Sequence, residues 1–192
     1  MSKYLGILCL MAVSFSTFAQ SNGKAEIQSA LDKYFQYNQD QDLDGIMKMV
    51  NPKLFNLISK DQMRQTLQMT FGNPQFKIEM SDFEAGEVSE VYELNGEKFA
   101  VVEYNHQMDF NFPEPNEATI STMKQALMGQ NGISGVEVSD DMKQMSAAIE
   151  KVLWAYQPKD ENSWYFSDHD ESNMALMAQL IPEEAIQHFF PE

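Results

Sequence analysis

Cysteine is nearly missing from this chain. Cys9 is the only one among 192 residues, and it lies inside a segment that reads as a cleaved export signal. The mature chain then has no thiol, which excludes disulfides, thiolate zinc sites, iron–sulfur clusters and cysteine nucleophiles together. Basic residues are also scarce, 13 against 29 acidic, and the net charge of −16 repels a nucleic-acid backbone and disfavours anionic lipid. No apolar run reaches the ~18 residues that a membrane-spanning helix requires. Gly-rich phosphate loops, HExxH and GxSxG are all missing, so the enzyme classes built on them have no support. No internal repeat, low-complexity tract or linker divides the chain. What remains is a globular composition, 43% apolar and 22% charged, at a length suited to one domain.

The first residues carry Lys3, an apolar stretch from Leu5 to about Phe15, then Ser16-Thr17-Phe18-Ala19 before Gln20. A basic start, a short apolar core and small residues at Thr17 and Ala19 match a secretory signal over 1–19. Leu8 precedes Cys9 where a lipid-attachment signal wants a small residue. The expected location is periplasmic or secreted, without membrane insertion after cleavage. Loss of Lys3 makes the mature charge one unit more negative.

Residues 24–39 place Ile27, Leu31, Tyr34 and Phe35 at helical spacing. A shorter helix is expected over 42–50, before Pro52. Ser59 with Gln62 forms a capping box for a third helix, which Gly72 and Pro74 close. The period then changes, and Phe76, Ile78 and Met80 alternate as a strand. Asn95-Gly96 predicts a two-residue hairpin that sets Leu94 opposite Glu97, Glu93 opposite Lys98 and Tyr92 opposite Phe99. The returning strand, 99–112, carries Ala100, Val102, Tyr104, His106, Met108, Phe110 and Phe112 on one face, apolar except for Tyr104 and His106. A helix is expected over 117–129 and a glycine-rich loop after it. Residues 140–151 favour helix by composition yet lead into strand-like Val152 to Tyr156, so both readings stand. Trp164-Tyr165-Phe166 reads as the antiparallel partner of that strand, and helices are expected from Asn173 to Leu180 and from Pro182 to about Phe189.

Helices first, then antiparallel strands with further helices, indicate an α+β domain over 20–192 with helices on one face of a curved sheet. Asp42-Leu43-Asp44-Gly45, Asn51 to Phe55, Ser59 to Met63, Gly96 to Tyr104, Ser163 to Phe166 and Leu180 to Glu184 together resemble exported proteins related to nuclear transport factor 2. The resemblance implies a cone in which helices are wrapped by a strongly bent sheet, with a pocket at the wide end. That superfamily holds isomerases, dehydratases and cyclases of the SnoaL and ketosteroid-isomerase kind beside many non-catalytic binding modules.

The ligand-pocket candidates are Tyr34, Tyr104, His106, Met108, Phe110, Trp154 and Trp164, an aromatic set that fits either core packing or an apolar pocket with polar tips. No catalytic set is complete. The alternative enzyme reading uses His106 as acid/base and Tyr104 as donor, although the neighbouring Glu103 and Asp109 alternate to the opposite face. Asp40, Asp42 and Asp44 with Gly45 match half of a calcium loop, but Asn51 stands where its bidentate glutamate belongs. The plainer account makes Asp42 a helix cap. The methionine pairs Met47/Met49, Met142/Met145 and Met174/Met177 fit adaptable packing better than copper. Asp168-His169-Asp170-Glu171 reads as solvated surface rather than a cation site. The expectation is therefore an exported, non-enzymatic module without cofactor, binding a small apolar or amphipathic ligand or an envelope protein, with a homodimer left open.

Overall fold

Two long strands, β3 (Glu97–Asn111) and β5 (Gln144–Gln157), pair antiparallel along fourteen residues and form the spine of the molecule. The computed structural model describes residues 14–191. Each spine strand carries two shorter strands end to end along its outer edge. β1 (Lys77–Val88) and β2 (Tyr92–Leu94) lie along β3, while β4 (Ile133–Val138) and β6 (Tyr165–Asp168) lie along β5. All six named strands pair antiparallel.

The hairpin forms in the expected register. Asn95 and Gly96 take φ of 57° and 84°, the left-handed pair that lets a two-residue turn follow the strand twist. β1 continues well past Met80 to Val88, and its register slips twice, after Ser81 and after Ala85. Such bulges bend a strand and help curve the sheet.

Among the described residues six α-helices pack around this curved sheet, and the fold is α+β. α1 (Ser14–Gln39) lays Ile27, Leu31 and Phe35 on one face of the sheet, against Val102, Tyr104, Leu153 and Phe166. α2 (Leu43–Met49) starts at Asp42, whose carboxylate accepts the Gly45 amide at 3.0 Å. α3 (Lys60–Phe71) starts with the expected Ser59–Gln62 capping box. α4 (Glu117–Met128) is inserted between β3 and β4 and seats Ile120 against Phe110, Phe112 and Met145. α5 (Met174–Leu180) and α6 (Glu183–Phe189) cover the other face, over Phe99, Trp154 and Tyr156.

Two expectations change. The glycine-rich stretch after α4 is a strand from Ile133, because Gly132 and Gly135 take φ of 73° and 60° and let the chain turn back onto β5. The ambiguous segment is strand from Gln144 onward. Met145, Ala147 and Ile149 alternate into the interior at 0–2% exposure, so burial overrides the helix preference of Ala147 and Ala148. Of the proposed signal segment 1–19, residues 1–13 lie outside the described residues.

Candidate functional site

Residues that face one another across antiparallel strands share a face. His106 pairs with Ile149, Tyr104 with Lys151 and Val102 with Leu153, and Leu153 pairs in turn with Asp168. The apolar wall predicted from 100 to 112 therefore carries a small polar patch: Tyr104, His106, Lys151 and Asp168. The wall is covered by α1 near Tyr104 and by α4 near Phe110, and His106 falls between the two covers.

His106 is 7% exposed. It sits opposite the first bulge of β1, where Asp82 and Phe83 together face one residue of β3. The bulge turns the Phe83 ring onto the imidazole at 4.7 Å between centroids and 8° between planes. The Tyr104 ring also lies parallel to the imidazole, at 5.6 Å and 3°. Among the described residues neither imidazole nitrogen has a hydrogen-bond partner. Burial, then the positive charge of Lys151, pushes the His106 pKa down to about 4 against a partial pull from Asp168. The ring is thus neutral at ordinary pH.

The nearby carboxylate serves other groups. Asp168, at the end of β6, accepts a hydrogen bond from the Tyr104 hydroxyl at 3.3 Å and an ion pair from Lys151 Nζ at 3.3 Å. Burial, followed by the charge of Asp168, raises the pKa of Tyr104. The same two causes raise Tyr34, whose ring packs on Phe166 at 5.2 Å. Both phenols keep their protons, and Tyr104 serves as a donor rather than a base.

A cleft of about 820 Å³ opens beside this patch, in the gap along β5 between the start of β4 and the end of β6. The Glu150 amide donates to the Gly132 carbonyl at 2.7 Å on one side, and the His169 amide to the Val152 carbonyl at 2.8 Å on the other. Loop Gly129 to Gly132, segment Asp168 to Ser172 and Lys151 line the cleft. His169 Nδ1 accepts the Trp154 indole N–H at 3.1 Å, and its ring stacks on Phe190 at 4.2 Å. That contact ties the cleft wall to the covering of the far sheet face.

The seven pocket candidates do not enclose one space. Tyr34, Tyr104 and Trp164 share the core under α1, while Phe110 and Met108 pack with the α4 cluster. Trp154 corrects the grouping: it pairs with Val101 and Ser167, lies on the opposite face, and packs with α5 and α6. Lys151 escapes the sequence reading because alternation through 145–155 is visible only once that segment is taken as strand. Asp168 hides within an acidic run.

The candidate calcium residues go separate ways. Asp40 accepts from Gln36 at 2.8 Å, Asp42 caps α2, and Asp44 pairs with Arg64. Among the described residues no group of three or more His, Cys, Asp and Glu is arranged to hold a metal ion. Met145 and Met177 of the methionine pairs are buried in separate cores.

No family model matches the chain. No curated protein matches it either. Among solved structures, the chain is similar to an uncharacterised protein with a cystatin-like fold from Caulobacter vibrioides. The identity is 15%, the alignment covers 82% of this chain and 96% of that one, and the TM-score is 0.37.

Proposed function

We propose that this chain is an exported, non-enzymatic binding module of the nuclear transport factor 2-like kind, and that it holds a small amphipathic molecule in the cleft beside Lys151 and Asp168. One observation carries the reading. Lys151 and Asp168 stand as opposite charges in the lining of an open cleft, with Val152 and the His169 ring as its apolar and aromatic surface, and Asp168 is held from behind by the buried Tyr104 hydroxyl. Small-molecule sites combine a few fixed polar groups with apolar and aromatic surface in this way, in volumes of roughly 300–1,000 Å³.

The same geometry weighs against acid/base catalysis by His106. A general base works best with a pKa near the working pH and a partner that fixes its tautomer. His106 has a pKa of about 4 and no partner on either nitrogen. Residues 1–19 support export, and the packing of α1 and α4 on the face of the bent sheet that carries Tyr104 and His106 supports the cone resemblance.

Native mass spectrometry of the exported protein, purified from the envelope of a bacterium that expresses it, tests the reading. We expect a retained small molecule in the wild type and its loss in Lys151→Gln and in Asp168→Asn. An empty wild-type protein whose melting temperature no added small amphiphile changes would overturn it.

A further inference from the structure

Basic side chains are few in this acidic chain, and three of them meet at one place. A second cleft, of about 390 Å³, opens where α2, the turn Pro52–Asn56 and the start of α3 approach β6. It shares no residue with the cleft at Lys151. Lys48, Lys60 and Arg64 line it, with Asp44 as the one acid, while Met47, Phe55 and Tyr165 supply apolar surface. Arg64 is the only arginine in the sequence.

Local structure explains the convergence. Lys60 and Arg64 are four residues apart on α3 and so lie on one helical face. Lys48 closes the last turn of α2, where a cation suits the helix dipole. Asn51 caps the turn that follows and accepts the Lys53 amide at 3.0 Å, which sets the course of the chain through Phe55. Lys60 Nζ stands 4.9 Å from the Phe55 ring centroid, so one cation already sits against the apolar surface.

These cations are only partly neutralised. Arg64 contacts Asp44 through one of its guanidinium nitrogens, and a guanidinium has five N–H donors. Among the described residues neither Lys48 nor Lys60 has a carboxylate partner. The cleft therefore carries a local excess of positive charge on a molecule of net charge −16. An anion would meet repulsion over most of such a surface. Here it meets donors with an apolar surface beside them.

We propose that this second cleft binds a small monocarboxylate amphiphile. Its carboxylate takes Lys48, Lys60 and the outer edge of Arg64, and its short tail lies on Met47, Phe55 and Tyr165. The proposal is independent of the ligand in the cleft at Lys151.

Isothermal titration of the mature chain with octanoate, octyltrimethylammonium and 1-octanol at low salt tests it. We expect octanoate to bind at least about tenfold more tightly than the other two. The double variant Lys48→Gln/Lys60→Gln changes exposed residues and should lower the melting temperature by no more than a few degrees, yet lose about tenfold in octanoate affinity. Lys151→Gln should leave octanoate binding unchanged, which separates this site from the other. Equal affinity for the three probes, no octanoate binding at millimolar concentration, or undiminished binding in the double variant would each overturn the proposal.

Discussion

The hydroxyl of Tyr104 meets the carboxylate of Asp168 at 3.3 Å, while His106, stacked on the same tyrosine, hydrogen-bonds to no acid among the described residues. The one carboxylate at this part of the wall is thus committed to a phenol and to Lys151. Polar groups here are arranged to be held in place, and the imidazole acts as a flat neutral surface.

Tyr104→Phe keeps the ring that stacks on Phe35 and His106 and removes only the hydrogen bond. Asp168 still has Lys151. The expected loss is about 1 kcal/mol, read from the urea midpoint at constant slope.

His106 should make the fold sensitive to acid. An unfolded imidazole titrates near 6.5, whereas the folded one titrates at about 4. Between those values the unfolded chain binds the extra proton, so stability is complete above the unfolded pKa and is lost as pH falls towards the folded one. From pH 7 to pH 5 the loss attributable to this residue is roughly 2 kcal/mol. His106→Phe preserves the stack and should remove that part of the pH dependence. His169, also depressed by burial, contributes in the same direction and remains in both proteins. Urea unfolding of the two proteins at both pH values measures the difference.

Gly132 and Gly135 should respond differently to alanine. Both have positive φ, which costs a residue with a Cβ about 1 kcal/mol. A Cβ at Gly135 meets nothing within 4 Å, so Gly135→Ala should cost little more than that. A Cβ at Gly132 would collide with the Glu150 carbonyl oxygen, the residue that bridges one end of the cleft. Gly132→Ala should therefore cost upwards of ~2 kcal/mol in thermal or urea unfolding.

Export makes a mass prediction. Protein recovered from outside the cytoplasm should begin at Gln20, and its intact mass should lack residues 1–19. A full-length chain recovered there would contradict the signal reading.

Much of the fold was legible because local chemistry and tertiary packing agreed. The Ser59–Gln62 box, the Asp42 cap and the Asn95-Gly96 turn each satisfy backbone groups within a few residues, so short windows suffice. Between 129 and 151 local preference and burial disagreed. Glycines that read as loop serve a turn and a bulged strand, and alanines that favour helix fill a sheet interior. The site suffered from the same conflict. Lys151 lies in that segment, and Asp168 reaches Tyr104 only because β6 pairs with β5 in a register that no local pattern states. Trp154 was misplaced because α5 and α6 make both faces of β5 apolar there, which erases the alternation that would assign it.

The central claim is that the imidazole in the wall is neutral and that no acid hydrogen-bonds to it. NMR titration of the His106 ring nitrogens in the folded mature protein tests this most directly. We predict a neutral ring throughout the physiological range, with protonation only as pH approaches about 4. A ring that titrates near or above neutrality, with its pKa falling when Asp168 is replaced by Asn, would contradict the account and return His106 to the role of an acid/base catalyst.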